Sequence, residues 1–324
     1  MNNAIRFHEY GGTEVLRWEK VEIADPQPGE ARIRHEAIGV NFVDIYQRSG
    51  LYKVPLPAIA GNEGAGVVES VGEGVTLVKP GDRVAYAGGV GSYCETRTIA
   101  ADRLCLLPEE LTFEQGAAMM LKGLTVHYLI RRTCHVQKGD TVVFHAAAGG
   151  VGTIACQWLK SLGARIIGTA GSAEKCNLAL QNGADFCINY RTEDIVERVH
   201  EITNGEGVPV VYDSVGKDTF EASLKCLRPF GLLVSFGNAS GPVPPVDLGI
   251  LAPLGSLYVT RPTLATYTAQ RSDLESASKE LFDLVLAGIV RIDVNQRYLL
   301  KDAAQAHNAL ESRETTGSTV LLTR

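Results

Sequence analysis

Val143-Phe144-His145-Ala146-Ala147-Ala148-Gly149-Gly150-Val151-Gly152 decides the fold of this 324-residue chain. The apolar run 141–146 reads as a buried strand, and 152–162 carries a helical pattern. Between them every residue is small. The segment fits G-x-G-x-x-G as Ala147-x-Gly149-x-x-Gly152, with Ala at the first position. Small residues let the chain turn tightly and bring backbone N–H groups near a pyrophosphate, while the helix N-terminus adds its positive dipole end. Ala148, Gly149, Gly150, Val151 and Gly152 are therefore expected to bind a dinucleotide.

Working outward, strands and helices keep alternating. Strands are expected at 165–170, 185–190, 208–215 and 231–237, and helices at 173–181, 192–203 and 218–227. Ile195, Val199 and Ile202 fall on one helix face. Alternation with near-continuous apolar strands means α/β architecture with a doubly wound parallel sheet. Before residue 112 the texture differs. Short strands at 4–10, 14–23, 31–40, 64–71, 82–87 and 92–99 are broken by Gly/Pro turns such as Pro80-Gly81, which predicts a barrel-like β domain. Thr112-x-x-Gln115 reads as a capping box opening a helix. The tail predicts a strand at 256–260, a long helix at 271–287, a strand at 297–300, a helix at 301–313 and a strand at 319–322.

An NAD site needs an acid after the second strand to bond the ribose 2′-hydroxyl. Here that strand runs into Thr169-Ala170-Gly171-Ser172, and Lys175 follows. Nothing there repels a 2′-phosphate, and a hydroxyl with an ammonium suits one. Thr169, Gly171, Ser172, Lys175 and Tyr190 are the expected adenosine-side contacts, and NADPH the expected cofactor.

Composition narrows the class. The chain is 45% hydrophobic and 21% charged, which excludes a disordered or collagen-like protein. The formal net charge is −6, against nucleic acid as a main partner. The seven cysteines include no Cys-x-x-Cys pair, so neither a disulfide framework nor a zinc ribbon is expected. The N-terminus has no apolar core of a signal peptide and no stretch is long enough to span a bilayer, which predicts a cytoplasmic protein.

The chain resembles the medium-chain dehydrogenase/reductase superfamily, and within it the zinc-independent quinone oxidoreductases of the zeta-crystallin-like branch, bacterial members above all. The segments that carry the likeness are Ile38–Tyr46 with Arg48–Tyr52, Gly61-Asn62-Glu63-Gly64-Ala65-Gly66, Lys79–Val84, Lys122–Thr125, His145–Gly152 and Ser235–Asn238. They follow the family's order across nearly the whole chain. The resemblance implies a split GroES-like catalytic domain (1–122 and 263–324) around a Rossmann domain (123–262), NADPH, a homodimer, and reduction of quinones such as 1,4-benzoquinone. Zinc-dependent relatives carry a Cys ligand where this chain has Asn41 and a Gly-His-Glu motif where it has Gly61-Asn62-Glu63. Their third ligand position aligns with Leu121. Amides and Leu do not make a three-ligand catalytic zinc site, so no metal is expected.

The resemblance also assigns the remaining candidates. Asn41, Asp44, Tyr46 and Tyr52 are the candidate catalytic residues. Asn41 and Asp44 are expected in a turn facing the nicotinamide, Asp44 ordering a water or a tyrosine, and the tyrosines donating to a quinone oxygen or walling its pocket. Asn41, Thr125, Ser214, Phe236, Gly237 and Asn238 are expected on the cofactor, with Lys122 beginning a bridging helix. Arg313 is expected to replace a family lysine that is Ser318 here. His145 is expected to be a satisfied core histidine. Ser256–Thr260 is expected at the sheet edge, where a second copy would cover it. An NADPH-dependent reductase of α,β-unsaturated carbonyls remains an alternative, as does a non-enzymatic RNA-binding or structural role.

Overall fold

The computed structural model describes residues 2–324. In chain order the strands are β1 Asn2–Phe7, β2 Arg17–Val21, β3 Glu30–Val40, β4 Ala58–Ile59, β5 Glu63–Val71, β6 Arg83–Ala87, β7 Thr96–Ala100, β8 Cys105–Leu106, β9 Thr141–Phe144, β10 Arg165–Ala170, β11 Phe186–Asn189, β12 Val208–Asp213, β13 Leu227–Ser235, β14 Tyr258–Thr260, β15 Val294–Leu299 and β16 Ser318–Leu322. The α-helices are α1 Phe42–Arg48, α2 Phe113–Tyr128, α3 Gly150–Ser161, α4 Ala173–Gln181, α5 Ile195–Ile202, α6 Phe220–Lys225, α7 Leu264–Tyr267, α8 Arg271–Leu286 and α9 Ala303–Glu311.

Two compact units form. The first comprises 2–124, 268–286 and 292–324; the second comprises 125–267 and 287–291. The first is β-rich. Its main sheet runs β15-β16-β3-β5-β6-β8, with β7 also on β3, and a smaller sheet runs β2-β1-β4. The long strand β3 alternates buried with half-buried residues until its end, where Ala37 to Val40 are all buried. Ile5, Phe7, Ile38, Val40, Tyr93 and Leu321 share one apolar core with Leu300, Ala303 and Ala306. That core welds the C-terminal segment onto the N-terminal strands.

The second unit is a six-stranded parallel sheet, β11-β10-β9-β12-β13-β14. The order turns back at β9, the first strand, so its carboxyl end lies at a topological switch point, where such sheets bind ligands. Val143, Ile167 and Val211 from the central strands are fully buried together with Val199 and Leu224 from the covering helices. The α/β fold with a doubly wound parallel sheet is as the sequence predicts.

Two local expectations are corrected. The segment after Asn41 is not a turn but the helix α1, opened by Asn41 in extended conformation. And Lys122 does not begin a helix: it lies inside α2, which starts nine residues earlier. There Thr112 and Gln115 exchange the reciprocal bonds of a capping box, at 3.1 and 2.9 Å. A capping box sets the start of α2, and nothing in its small-residue interior interrupts it.

Candidate functional site

The second unit supplies the nucleotide loop. Gly149 stands in extended conformation at the N-cap of α3 and offers no side-chain cap, so the first-turn N–H groups are left for a ligand. Ala146 adopts φ +54, and Gly149 N–H closes back on its carbonyl at 2.9 Å. A Cβ at Gly152 would lie 2.4 Å from that carbonyl oxygen, so only glycine lets the helix start this close to the strand. The loop fits a pyrophosphate.

Beneath it lies a closed polar network. Asp213 accepts from the Val215 and Gly216 N–H groups at 2.8 and 3.0 Å, and from the hydroxyls of Thr219 and Ser223. With its proton on Asp213, Ser223 accepts from His145 Nε2–H at 3.0 Å. Nδ1 of His145 then accepts from the Thr169 hydroxyl at 2.9 Å. His145 is wholly buried, and burial lowers its pKa, which keeps it neutral. It is the satisfied core histidine expected. The same bond commits the Thr169 hydroxyl to the interior, which corrects its assignment as a side-chain contact for the cofactor. The available hydroxyl is that of Ser172, the N-cap of α4, which accepts from Lys175 N–H at 3.3 Å.

Ser172 and the half-buried Lys175 are brought together with Gly171 and Tyr190. A Cβ at Gly171 would come within 2.5 Å of the Tyr190 hydroxyl, so the ring tip rests on that glycine. Glu174, beside them, is held below the usual carboxylate range by its own N–H and by Ser172. At the carboxyl ends of β12 and β13, Gly237 abuts the backbone of Ser214, where a Cβ would be 2.3 Å from the Ser214 carbonyl oxygen. Phe236 packs on Phe144 at 5.9 Å, and Asn238 follows in the same loop. Arg261 ties that loop, donating to Ser235 Oγ at 3.1 Å and to the Gly237 carbonyl at 2.9 Å. Sequence reasoning missed Arg261. Thr125 lies buried in α2, and Ala148 is buried within the loop.

The first unit holds a second polar cluster, described by itself. Asp44, at the third position of α1, accepts the N–H of Asn41 at 2.8 Å and so fixes the helix start. Asn41 Nδ2 donates to Glu63 Oε2 at 2.8 Å. Glu63, fully buried at the start of β5, also accepts from the Leu121 N–H at 2.7 Å and from Lys122 Nζ at 3.4 Å. Lys122 is itself buried and also donates to the Val40 carbonyl at 3.4 Å. Asn62 donates to Asp44 Oδ1 at 2.7 Å and exchanges bonds with Gln47. Burial pushes Asp44 up to about 6, against the pull of Asn62, the Asn41 N–H and Tyr93, and raises Glu63 against the pull of Lys122. Tyr46 and Tyr52 meet edge to face at 5.2 Å, Tyr46 buried and Tyr52 partly exposed.

These donors do not suit a cation. The amides of Asn41 and Asn62 aim hydrogens at carboxylates, and an ammonium already pairs with Glu63. Among the described residues no group of three or more His, Cys, Asp or Glu side chains is placed to hold a metal ion. Ser318 opens β16 from a buried position and donates to the Ala118 carbonyl at 3.2 Å, so it reaches no phosphate; Arg313 is exposed just after α9. Sequence reasoning gave no chemical role to Glu63, Tyr93 or His307, and read Lys122 only as the start of a helix. The spacing of charged residues in one sequence does not reveal that four separate segments converge.

Comparison with known proteins places these features. Residues 27–131 match the alcohol dehydrogenase GroES-like domain, and 150–284 match the zinc-binding dehydrogenase family. A quinone oxidoreductase of Pseudomonas aeruginosa is 56% identical over 99% of this chain and 100% of its own. The crystal structure of Escherichia coli quinone oxidoreductase complexed with NADPH is 53% identical, with a TM-score of 0.97 over 99% of both chains. A 2-haloacrylate reductase of Burkholderia is 44% identical over 97% of each. With its alanine-led dinucleotide loop and this full-length likeness, the chain belongs to the quinone oxidoreductase family of the medium-chain dehydrogenase/reductase superfamily.

Proposed function

We propose that the protein reduces quinones with NADPH and uses no zinc. The observation that supports this reading is the Asn41–Glu63–Lys122 cluster, whose amide, carboxylate and ammonium satisfy one another; Asn41, Asn62 and Leu121 are the positions that the resemblance assigns to zinc ligands. Without a Lewis acid a plain alcohol is hard to oxidise, whereas an electron-poor quinone accepts reducing equivalents readily. When bound, NADPH supplies the hydride.

The chain's own residues bind and orient. The 148–152 loop holds the pyrophosphate; Gly171, Ser172, Lys175 and Tyr190 hold the adenosine end, with Lys175 on the 2′-phosphate and Arg313 a further cation. Thr125, Ser214, Phe236, Gly237 and Asn238 of the second unit are the proposed nicotinamide contacts, and the resemblance adds Asn41. Tyr46 and Tyr52 wall the quinone and orient its oxygens, which trades entropy for a productive geometry. In this reading 1–122 with 263–324 is the catalytic domain and 123–262 the cofactor domain. The protein is cytoplasmic, in keeping with the lack, among the described residues, of any helix long and apolar enough to cross a membrane.

A homodimer completes the proposal. β14 is the last strand of its sheet, and Tyr258 and Val259 are exposed on it, with Phe230 and Leu248 exposed nearby in the same unit. An uncovered apolar edge invites a two-fold copy.

A second reading, reduction of α,β-unsaturated carbonyls, is favoured by the Burkholderia relative. NADPH consumption against a panel of quinones, enones and alcohols separates the two. Turnover fastest with 1,4-benzoquinone and absent with alcohols is expected; faster turnover of enones would transfer the assignment.

A further inference from the structure

Tyr93 and His307 lie outside the sequence segments that carry the family likeness, yet the structure strings them between the surface and the helix that Asn41 opens. The exposed Glu311 on α9 grips the buried Arg48 of α1 through two bonds, 2.7 and 3.0 Å. Arg48 Nη1 reaches His307 Nδ1 at 3.1 Å; His307 Nε2 lies 3.1 Å from the Tyr93 hydroxyl; that hydroxyl donates to Asp44 Oδ2 at 2.9 Å. The two rings meet edge to face at 5.7 Å.

The direction of every bond follows from the ends. Arg48 can only donate, so Nδ1 of His307 accepts. The neutral ring then carries its proton on Nε2 and donates to the Tyr93 oxygen. Tyr93 passes its own proton toward Asp44, which when ionised can only accept. Burial and Arg48 hold His307 down at about 3, so the ring stays neutral throughout the working range. Because arginine does not give up its proton, this is no proton wire to solvent. It is a one-way chain that aims a hydroxyl at one carboxylate.

We propose that Tyr93 and His307 are positioning residues for quinone reduction: they keep Asp44 ionised and oriented, so that it holds the backbone N–H of Asn41 and, through Asn62, the turn ahead of β5. The proposal rests on the reading that Asn41 meets the cofactor. The charged and titratable groups around Asp44 are Glu63 of β5, which opposes its ionisation, Tyr93 from the segment before β7, His307 of α9, Arg48 of α1, and Lys122 of α2 behind Glu63. When Asp44 takes up a proton near pH 6, one of its donors must let go, and activity falls on the acid side.

The test compares Tyr93→Phe, His307→Phe and His307→Gln with the unchanged protein, following NADPH oxidation by 1,4-benzoquinone from pH 5 to 8. Tyr93→Phe removes one oxygen and His307→Phe removes both ring nitrogens; Gln can both donate and accept. Both Phe variants are expected to lose kcat about tenfold, the worth of one hydrogen bond to a charged group. Their KM for NADPH should stay unchanged and their acid limb should move to higher pH. His307→Gln should recover most of the activity and the original limb. Wild-type kcat and pH profile in Tyr93→Phe overturn the proposal, as does a loss in folded His307→Gln equal to that in His307→Phe. Should His307→Phe fail to fold, Tyr93→Phe against His307→Gln decides. An unchanged protein that does not turn over quinone at all contradicts the function itself, a result visible before any variant is compared.

Discussion

Lys175 shows what one residue decides. It lies half-buried one turn into α4, next to Ser172 and Tyr190, and no acid ends β10. In the proposed reading its ammonium meets a 2′-phosphate that NADH lacks. Lys175→Ala is expected to weaken NADPH binding by about 1–3 kcal/mol, the range of a charge-assisted bond, and NADH binding much less. Equal losses in KM for both cofactors would assign the lysine to the surface. Its place one turn into α4 was legible in the sequence because the loop-to-strand spacing is fixed by the fold. Thr169 was misread for a physical reason: alternate residues of a strand point to opposite faces, and its hydroxyl turns inward to His145. Tyr93 and His307 were not legible at all, since 214 residues separate them in the chain.

At the scale of elements, the strands and helices of the second unit follow the sequence closely; β10 and α4 match their expected limits. The period of the apolar pattern and the glycine punctuation fix them locally. α1 escaped because seven residues give too little pattern, although Asn41-x-x-Asp44 is a helix-start pairing. The edge strand β14 was foreseen; just before it, the Leu257 N–H is taken by the Leu251 carbonyl at 3.2 Å. The residues that could face a second copy are Tyr258 and Val259. In the proposed dimer Val259→Lys would set like charges opposite each other across the two-fold axis, and it is expected to shift the protein toward monomer in light scattering. A monomer in the unchanged protein at micromolar concentration would remove the dimer from the account.

At the scale of the whole molecule, buried histidines tie stability to pH. His35 sits in β3 with Nδ1–H on the Cys94 carbonyl at 2.7 Å and Nε2 accepting from Tyr86 at 2.9 Å. Burial lowers its pKa to about 4. The unfolded chain takes up the proton near 6.5 and the folded chain only near 4, so this stabilisation is lost as pH falls through that window. His35→Gln removes the titration and leaves the other groups in place. The stability advantage of the unchanged protein over this variant should therefore shrink by about 1.4 kcal/mol per pH unit between pH 6 and 4.5 in urea titrations. A constant difference would mean that the histidine is protonated in the fold. The division of labour between a β-rich unit and a parallel α/β unit was readable from texture alone, while the polar cluster of the first unit needed the fold to assemble it. That cluster supports the proposed reduction of a quinone by NADPH without a metal. The most direct measurement is the rate of NADPH oxidation by 1,4-benzoquinone after exhaustive chelation and dialysis, with zinc quantified in the same sample. Full activity with less than stoichiometric zinc is predicted; activity that disappears with the metal and returns when zinc is added back would contradict it.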